Sequence, residues 1–192
     1  MACNTDCATC TRLRRAALAL VGDGGLEALT LEALAGSAVI DAVELRRHYA
    51  TEAECLYDTY EEVARDVREE IAAAFAEVPS WPEALTLVGK RLLAWMAERP
   101  AEARLCFVEI LRGDREMLRL RDAERQRTID LFVREHRRRR HREHLPELQL
   151  ELLVSAGFRA IGAAVVEGPV AALPELEPEL ASVVEVFEPV TG

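Results

Sequence analysis

The sequence predicts an all-α protein, and three observations support that prediction. Ala, Leu, Glu and Arg dominate the composition, and all four are strong helix formers. Aromatic residues make up only 5% of the chain, and the residue types that favour strands are sparse. Apolar residues recur every three or four positions, between Ser, Thr, Asp, Pro and Gly residues of the kind that begin and end helices. Half of the 192 residues are hydrophobic, which is enough for a substantial core.

The first 78 residues are predicted to form three short helices and one long one. A first helix over residues 11–21 ends at Gly24 and Gly25, and Thr30 caps a second over residues 31–37. Asp41 and Glu44 have capping-box spacing and open a third helix. Residue 51 begins the same pattern again and opens a fourth helix that extends to about residue 78.

Five further helices are predicted in the rest of the chain. Ser80 precedes a fifth helix, which Pro100 ends, and a sixth then continues to about residue 113. A seventh, highly charged helix runs from about residue 114 into the basic run at 137–142. An eighth occupies residues 146–168, and Pro174 and Pro178 are expected in the first turns of a ninth.

Two short helices joined by a tight turn form a helix-turn-helix pattern, whose second helix enters the major groove of DNA. The stretch from Gly25 to Glu54 resembles the DNA-binding signature of the TetR family of transcriptional regulators. The residues in register are Thr30, Leu34, Ala35, Ala38, Ile40, Leu45, His48 and Tyr49. This resemblance implies a nine-helix TetR-like fold. Residues 1–50 are expected to form an N-terminal arm and a helix-turn-helix DNA-binding domain, and residues 51–192 a helical ligand-binding and dimerisation bundle.

The resemblance also implies the function, which is that of a cytoplasmic, homodimeric transcription regulator. We expect a repressor that binds a double-stranded DNA operator and is released by a small apolar or amphipathic effector. No catalytic motif is present, so we expect no enzyme, no catalytic residue, no cofactor and no metal. The start of the chain lacks the pattern of a secretory signal. The weakly charged segment 152–166 falls short of the ~20 apolar residues that a membrane span needs, so no membrane partner is expected.

The predicted DNA-binding residues lie mainly on the recognition helix, and they are Arg15, Thr30, Ala42, Glu44, Arg46, Arg47, His48 and Tyr49. Arg46 occupies the family's phosphate-contacting Tyr position, and Arg47 is suited to a guanine edge or a phosphate. A solvated helix face remains the alternative for the arginines, including Arg12 and Arg14.

Three departures from the family pattern weaken the expectation of DNA binding. Val39 stands where the turn usually has Gly, Asp41 opens the recognition helix, and Glu52 stands where a phosphate-contacting Lys is common. Residues 1–60 contain five arginines and nine acidic residues, and phosphate contacts need cations. We therefore expect weak binding or binding at a well-matched operator. The alternative is a TetR-like ligand- or protein-binding module that has lost DNA binding.

The larger bundle has two predicted sites. The predicted ligand-binding residues are the inward-facing Tyr60, Trp95, Met96, Phe107, Met117, Phe132 and Phe158, for which plain core packing is the alternative. The small residues of the eighth helix permit close approach of a partner helix. The predicted dimer interface uses helices eight and nine of both chains, with Ala156, Ala160, Ala163, Ala164, Val183 and Phe187.

Three cysteines cluster near the start of the chain, in the order Cys3-x-x-x-Cys7-x-x-Cys10. Radical-SAM enzymes use this spacing to hold an iron–sulfur cluster, but the chain lacks the βα alternation of such an enzyme. We expect a mobile arm with reactive thiols that is dispensable for the fold, with metal binding or redox sensing as the alternative. Cys55 and Cys106 are predicted to be small core residues.

Overall fold

The computed structural model describes residues 7–139 and 146–186, and these residues contain helices and no strand. The first four helices are α1 (Ala8–Gly24), α2 (Leu31–Ala38), α3 (Ala42–His48) and α4 (Glu52–Glu77), with a 3-10 turn at Leu26–Ala28 between the first two. The prediction of three short helices followed by a long one is confirmed. The first helix begins earlier than predicted, because Cys7 caps it by accepting a hydrogen bond from the backbone N–H of Cys10.

The rest of the described chain is also helical. It comprises α5 (Trp81–Ala97), α6 (Pro100–Arg104), a π-helical turn (Leu105–Glu109), α7 (Ile110–Arg112), α8 (Arg115–Arg139), α9 (Glu147–Glu167), a 3-10 helix (Val170–Leu176) and α10 (Glu177–Val186). Because α6, the π-helical turn and α7 form one continuous run, these segments agree with the nine predicted helices. Pro178 stands in the first turn of α10 as predicted, but Pro174 lies inside the 3-10 helix and not in the ninth helix.

Two compact units divide the described chain. The first unit contains the residues up to Ala64 together with Ala101–Arg121, and the second contains Arg65–Pro100 and the residues from Asp122 onward. The predicted division into a DNA-binding domain (residues 1–50) and a ligand-binding and dimerisation domain (residues 51–192) refers to function, and it stays a prediction.

The first unit is held together by apolar side chains from α1, α2 and α3 and by one buried carboxylate. Leu13, Leu34 and Leu45 are almost completely buried. Glu109 is 0% exposed, accepts a hydrogen bond from the Leu26 backbone N–H at 3.3 Å and pairs with Arg104 at 3.3 Å. A buried charge needs such partners. Glu109 therefore fixes the turn after α1, which sets where the two short helices begin.

The second unit has an aromatic core. Phe75, Trp81 and Phe132 pack with ring centroids 5.1–6.5 Å apart, and the ring of His136 lies against Trp81. Arg139 lies over Phe75 and donates to its backbone carbonyl. The basic end of α8 therefore packs partly against the core, and it is not a fully solvated helix end.

One described helix, α9, is long and apolar enough to cross a membrane by length and composition alone. The expectation that this segment falls short of a span is therefore wrong on those two measures. Only 28% of its most apolar window is buried within this chain, so much of its apolar surface is available to another partner.

Candidate nucleic-acid interface and ligand cavity

A helix-turn-helix is present in the first unit, with each of its helices capped as the sequence predicts. Thr30 Oγ1 accepts a hydrogen bond from the Ala33 backbone N–H at 3.1 Å and begins α2. Asp41 Oδ1 accepts from the Glu44 backbone N–H at 2.7 Å and begins α3. Between the helices, Val39 adopts the left-handed conformation at φ 53°. Thr30 therefore has a structural role at an exposed position, and Val39 occupies a conformation that favours glycine.

One face of α3 is exposed and carries the best candidates for DNA contact. Ala42, Arg46 and Arg47 are exposed, and the side chain of Val43 is 66% exposed although it is apolar. Within the described residues, no carboxylate lies within salt-bridge distance of Arg46 or Arg47. A protruding helix face with two uncompensated guanidinium groups and an exposed apolar side chain suits phosphate and base-edge contacts in a major groove.

Two other predicted DNA-binding residues on α3 face α1 instead. Glu44 is half-buried, and its Oε1 accepts a hydrogen bond from Thr9 Oγ1 at 3.3 Å. His48 is also half-buried, with Nδ1 at 3.3 Å from Cys10 Sγ and 3.7 Å from Cys7 Sγ. These contacts do not support Glu44 and His48 as base-reading residues, because their polar atoms are engaged within the chain.

Tyr49 does not lie on the predicted DNA surface. It is 4% exposed, and its hydroxyl donates a hydrogen bond to Asp58 Oδ2 at 2.5 Å. Burial, and then the hydrogen bond to Asp58, raise the pKa of Tyr49 above its usual value. The assignment of Tyr49 to DNA is therefore wrong in this structure, since a buried phenol cannot reach a phosphate.

The arginines of α1 separate into two groups. Arg14 is 4% exposed and pairs with Asp58 at 3.2 Å and with Glu62. Burial opposes its charge, but the hydrogen bonds to those partners raise its pKa. Arg14 therefore belongs to the core and not to a phosphate clamp. Arg12 and Arg15 are exposed and have no ion pair within the described residues, so both are available to DNA.

A separate cavity of about 80 Å³ lies within the second unit. Its walls come from α4, α5, α8, α9 and α10, and the lining includes Ile71, Val88, Phe132, Val154, Phe158 and Leu180. Lys90 and Glu177 provide charged groups in the lining. Pockets for drug-sized ligands have volumes of about 300–1,000 Å³. A ligand larger than a few atoms must therefore open this cavity before it can enter.

Only two of the predicted ligand-binding residues line this cavity, namely Phe132 and Phe158. Three other predicted residues are buried in the first unit, namely Tyr60, Phe107 and Met117. Met96 is 2% exposed, and half-buried Trp95 stacks under the Arg99 guanidinium at 4.7 Å. Sequence reasoning did not find Gly157, which lines the cavity and has no atom within 4 Å of an added Cβ.

The outer face of α9 carries most of the predicted dimer residues. Leu148, Leu152 and Val166 are 64%, 51% and 67% exposed. Ala163 is also exposed, whereas Ala156, Ala160 and Ala164 are half-buried, as is Val183 on α10. Phe187 lies outside the described residues. These exposed positions are four, eleven and three residues apart, which is close to whole turns of a helix with 3.6 residues per turn. They therefore lie on one mainly apolar stripe along the helix, which also contains the exposed Arg159.

Three solved structures that share this arrangement of helices are described as regulators. The fatty acid degradation regulator FadR from Bacillus halodurans superposes with a TM-score of 0.79 at 12% identity, over 93% of this chain and 95% of that one. A regulatory protein of the TetR family from Rhodococcus RHA1 gives 0.72 at 20% identity, over 93% and 97%. FadR from Bacillus subtilis in complex with stearoyl-CoA gives 0.73 at 14% identity, over 91% and 96%. No family model and no curated protein matches the sequence.

Proposed function

We propose that this chain, whose fold is that of TetR-family transcription regulators, is a homodimeric, cytoplasmic DNA-binding regulator. In this proposal it represses transcription, and an amphipathic effector releases it from its operator. The observation that carries the proposal is the exposed face of α3, where Arg46 and Arg47 have no acidic partner among the described residues. The residues that we assign to DNA are Arg15, Ala42, Arg46 and Arg47, with Arg12 and Val43 beside them.

The operator is expected to mirror the two-fold symmetry of a dimer. Two recognition helices enter successive major grooves when the half-sites are about one turn, ~34 Å, apart. The affinity for DNA should depend only weakly on salt concentration, because the DNA-binding region has few basic side chains. Each phosphate contact contributes about 0.9 to the steepness of log K against log salt concentration. Arg47→Ala should cost roughly 1–3 kcal/mol and relax sequence preference, whereas Arg46→Ala should weaken binding to all duplexes alike.

Fluorescence anisotropy with DNA from the protein's own promoter, at low and moderate salt, tests this assignment. Arg134→Ala is a matched control, since Arg134 is an exposed arginine on α8, outside the helix-turn-helix. Glu52 is exposed at the start of α4, and Glu52→Lys should tighten binding to any duplex. If no duplex binds at low salt and Glu52→Lys does not restore binding, the DNA-binding proposal fails. The nine acidic residues among the first 60 then favour the alternative, a ligand- or protein-binding module.

The effector that we propose has an apolar chain and a polar end. The cavity is lined mainly by apolar side chains and has Lys90 and Glu177 in its lining. A structurally similar FadR is described in complex with stearoyl-CoA, which is a ligand of this kind. Stearoyl-CoA should therefore raise the melting temperature of this chain in the form ln(1 + [L]/Kd).

Gly157→Leu is the sharpest test of the cavity, because its side chain would fill open space in the lining. This variant should remove the stearoyl-CoA shift while the chain stays folded. Trp95→Ala should retain the shift, since Trp95 does not line the cavity. A shift that survives Gly157→Leu would show that the ligand binds elsewhere, and the absence of any shift in the wild type would refute this effector class.

The dimer that we propose buries the apolar stripe of α9 against its copy in a partner, with helix α10 beside it. Introducing a charge into that stripe, as in Leu152→Arg, or at the half-buried position beside it, as in Ala160→Arg, should convert dimer to monomer in sedimentation at micromolar concentration. Leu111→Arg is the control, because Leu111 is an exposed apolar residue of the first unit. A monomeric wild type would refute the proposal. Recovery of the wild type in the membrane fraction would instead indicate that α9 spans a bilayer.

A further inference from the structure

A groove on the second unit is lined by arginines from two helices, and the proposed function does not use it. Its volume is about 410 Å³, and all of its lining residues belong to α4 and α8. They are Arg65, Arg68, Glu69 and Ala72 on α4, and Arg127, Asp130, Leu131 and Arg134 on α8. On both helices these positions are spaced i, i+3, i+4 and i+7, so each helix presents one face to the groove.

A buried carboxylate holds two of these arginines in place. Glu124 is 5% exposed, and it pairs with Arg68 through Oε2 and with Arg127 through Oε1. Arg68 comes from α4 and Arg127 from α8, so Glu124 links the two sides of the groove. The side chains of these two arginines stay 24% and 52% exposed, which leaves them within reach of a ligand. Fixing such groups before a ligand arrives reduces the entropy that binding costs.

The other two arginines are the first lining residue of α4 and the last lining residue of α8. Arg65 Nε lies 3.9 Å from a carboxylate oxygen of Asp66 and 3.9 Å from one of Glu69, and its side chain is 49% exposed. Arg134 is exposed, and within the described residues no carboxylate lies within salt-bridge distance of it. Arg134 is therefore the arginine of the groove that is most available to an anion.

The number and spacing of the charges indicate what the groove binds. Four guanidinium groups line it against the two carboxylates of Glu69 and Asp130, so a ligand with several negative charges gains more than one with a single charge. Arg127 and Arg134 are seven residues, about 10 Å, apart along α8, which is more than one phosphate group spans. Guanidinium groups bind phosphate oxygens through paired hydrogen bonds.

The shape of the groove indicates the size of the ligand. Its volume of about 410 Å³ falls within the roughly 300–1,000 Å³ of small-molecule sites. A concave site of this size suits a small molecule better than the convex backbone of a DNA duplex. Buried Leu131 contributes an apolar wall.

We propose that this groove binds a diphosphate group, either free or as part of a larger phosphorylated small molecule. Arg68 and Arg127, held by Glu124, bind its oxygens from the two helices, and Arg134 binds it from farther along α8. Asp130 opposes the bound charge and so sets the affinity. The site lies in the second unit alone, and it does not depend on whether the first unit binds DNA.

Isothermal titration of the full chain with pyrophosphate at low salt tests the site. The wild type should bind one pyrophosphate per chain. Arg134→Ala should weaken binding roughly tenfold or more, the loss expected for a hydrogen bond to a charged group. Arg119→Ala is the matched control, because it removes an exposed arginine from the same helix but from outside the groove. This control should bind pyrophosphate as the wild type does.

Asp130→Asn should tighten pyrophosphate binding, which damage to the fold would not do. The substitution removes a negative charge from the lining at nearly constant size, and the expected gain is roughly threefold. Asp130 Oδ1 accepts a hydrogen bond from Gln126 Nε2 at 3.0 Å, and the amide oxygen of asparagine can keep that bond. Circular dichroism checks that each variant is folded.

ADP in place of pyrophosphate separates the two sources of the diphosphate group. Tighter binding of ADP would identify a nucleotide-like ligand. Equal binding would show that the diphosphate group alone is recognised.

Three results would overturn the proposal. Absence of pyrophosphate binding at low salt would leave the arginines as a solvated surface. Binding that neither Arg134→Ala nor Asp130→Asn changes would place the anion elsewhere. Duplex DNA that competes with pyrophosphate and loses affinity in Arg134→Ala would identify a nucleic-acid surface instead. Failure of operator binding leaves the pyrophosphate titration unaffected, so this proposal and the proposed function fail separately.

Discussion

The buried guanidinium of Arg14 provides the most demanding test of the fold. Arg14 Nη1 lies 3.2 Å from Asp58 Oδ2, Nε pairs with Glu62, and Nη2 lies 3.4 Å from Thr11 Oγ1. Removing one partner of a buried ion pair costs about 3–5 kcal/mol. The side chains of Asp58 and Glu62 are 22% and 31% exposed, so water can partly replace Arg14. We therefore expect Arg14→Met to lower the free energy of unfolding by about 2–3 kcal/mol.

Thermal unfolding followed by circular dichroism measures this loss. A change of 1 kcal/mol shifts the melting temperature by about 2–4 °C in a chain of this size, so Arg14→Met should melt roughly 5–10 °C below the wild type. Arg15→Met is the control, because exposed Arg15 has no ion pair within the described residues and should change stability by less than about 0.5 kcal/mol. Equal melting temperatures for the two variants would refute the assignment of Arg14 to the core.

Three further predictions concern the first unit. Val39 is 83% exposed and has a φ of 53°. Val39→Gly should relieve more backbone strain in the folded state than it costs through the greater entropy of the unfolded chain, and so raise the urea midpoint by an amount equivalent to about 0.5–1 kcal/mol. A lower midpoint would contradict this reasoning. The hydrogen bond from Tyr57, and then that from the Met117 backbone N–H, lower the pKa of Asp114. The ionised carboxyl of Asp114 stabilises the fold above its unfolded pKa of about 3.9, and this stabilisation is lost as the pH falls through its folded pKa. Tyr57→Phe should therefore reduce the loss of unfolding free energy between pH 5 and pH 3. An unchanged pH dependence in urea unfolding would refute this. Burial raises the pKa of Cys55 to about 12, so iodoacetamide at pH 8 should modify Cys55 only in unfolded protein, as peptide mass analysis would show.

Local features of the fold could be predicted from the sequence because their causes lie within a few residues. The caps at Thr30 and Asp41 depend on a side chain and a backbone N–H three positions later. Val39 adopts the left-handed conformation as the C-cap of α2, at the position where the family pattern usually has Gly. Pro174 was assigned to the wrong helix because proline suits the start of a helix and also a 3-10 segment. The π-helical turn at Leu105–Glu109 has no sequence signal that we could identify.

The lining of the cavity could not be predicted from apolar periodicity. A stripe of apolar residues shows which face of a helix is buried, but a filled core and a ligand cavity bury the same residue types. Ile129 and Phe132 are both buried on α8 in the second unit, yet only Phe132 lines the cavity. Whether a buried residue lines the cavity depends on whether the neighbouring helices fill the space beside it. Gly157 leaves such a space because it lacks a side chain.

The surroundings of Cys7 and Cys10 show why local sequence patterns do not reveal contacts between distant segments. The spacing of Cys3, Cys7 and Cys10 was visible in the sequence, and it predicted a mobile arm with reactive thiols, with metal binding or redox sensing as the alternative. His48 already had an explanation as part of the Leu-x-x-His-Tyr motif of the recognition helix. Folding brings these separate observations together, because α1 begins where α3 ends, 41 residues later in the chain. His48, which the motif assigned to DNA, therefore lies against Cys7 and Cys10, which the sequence assigned to a mobile arm.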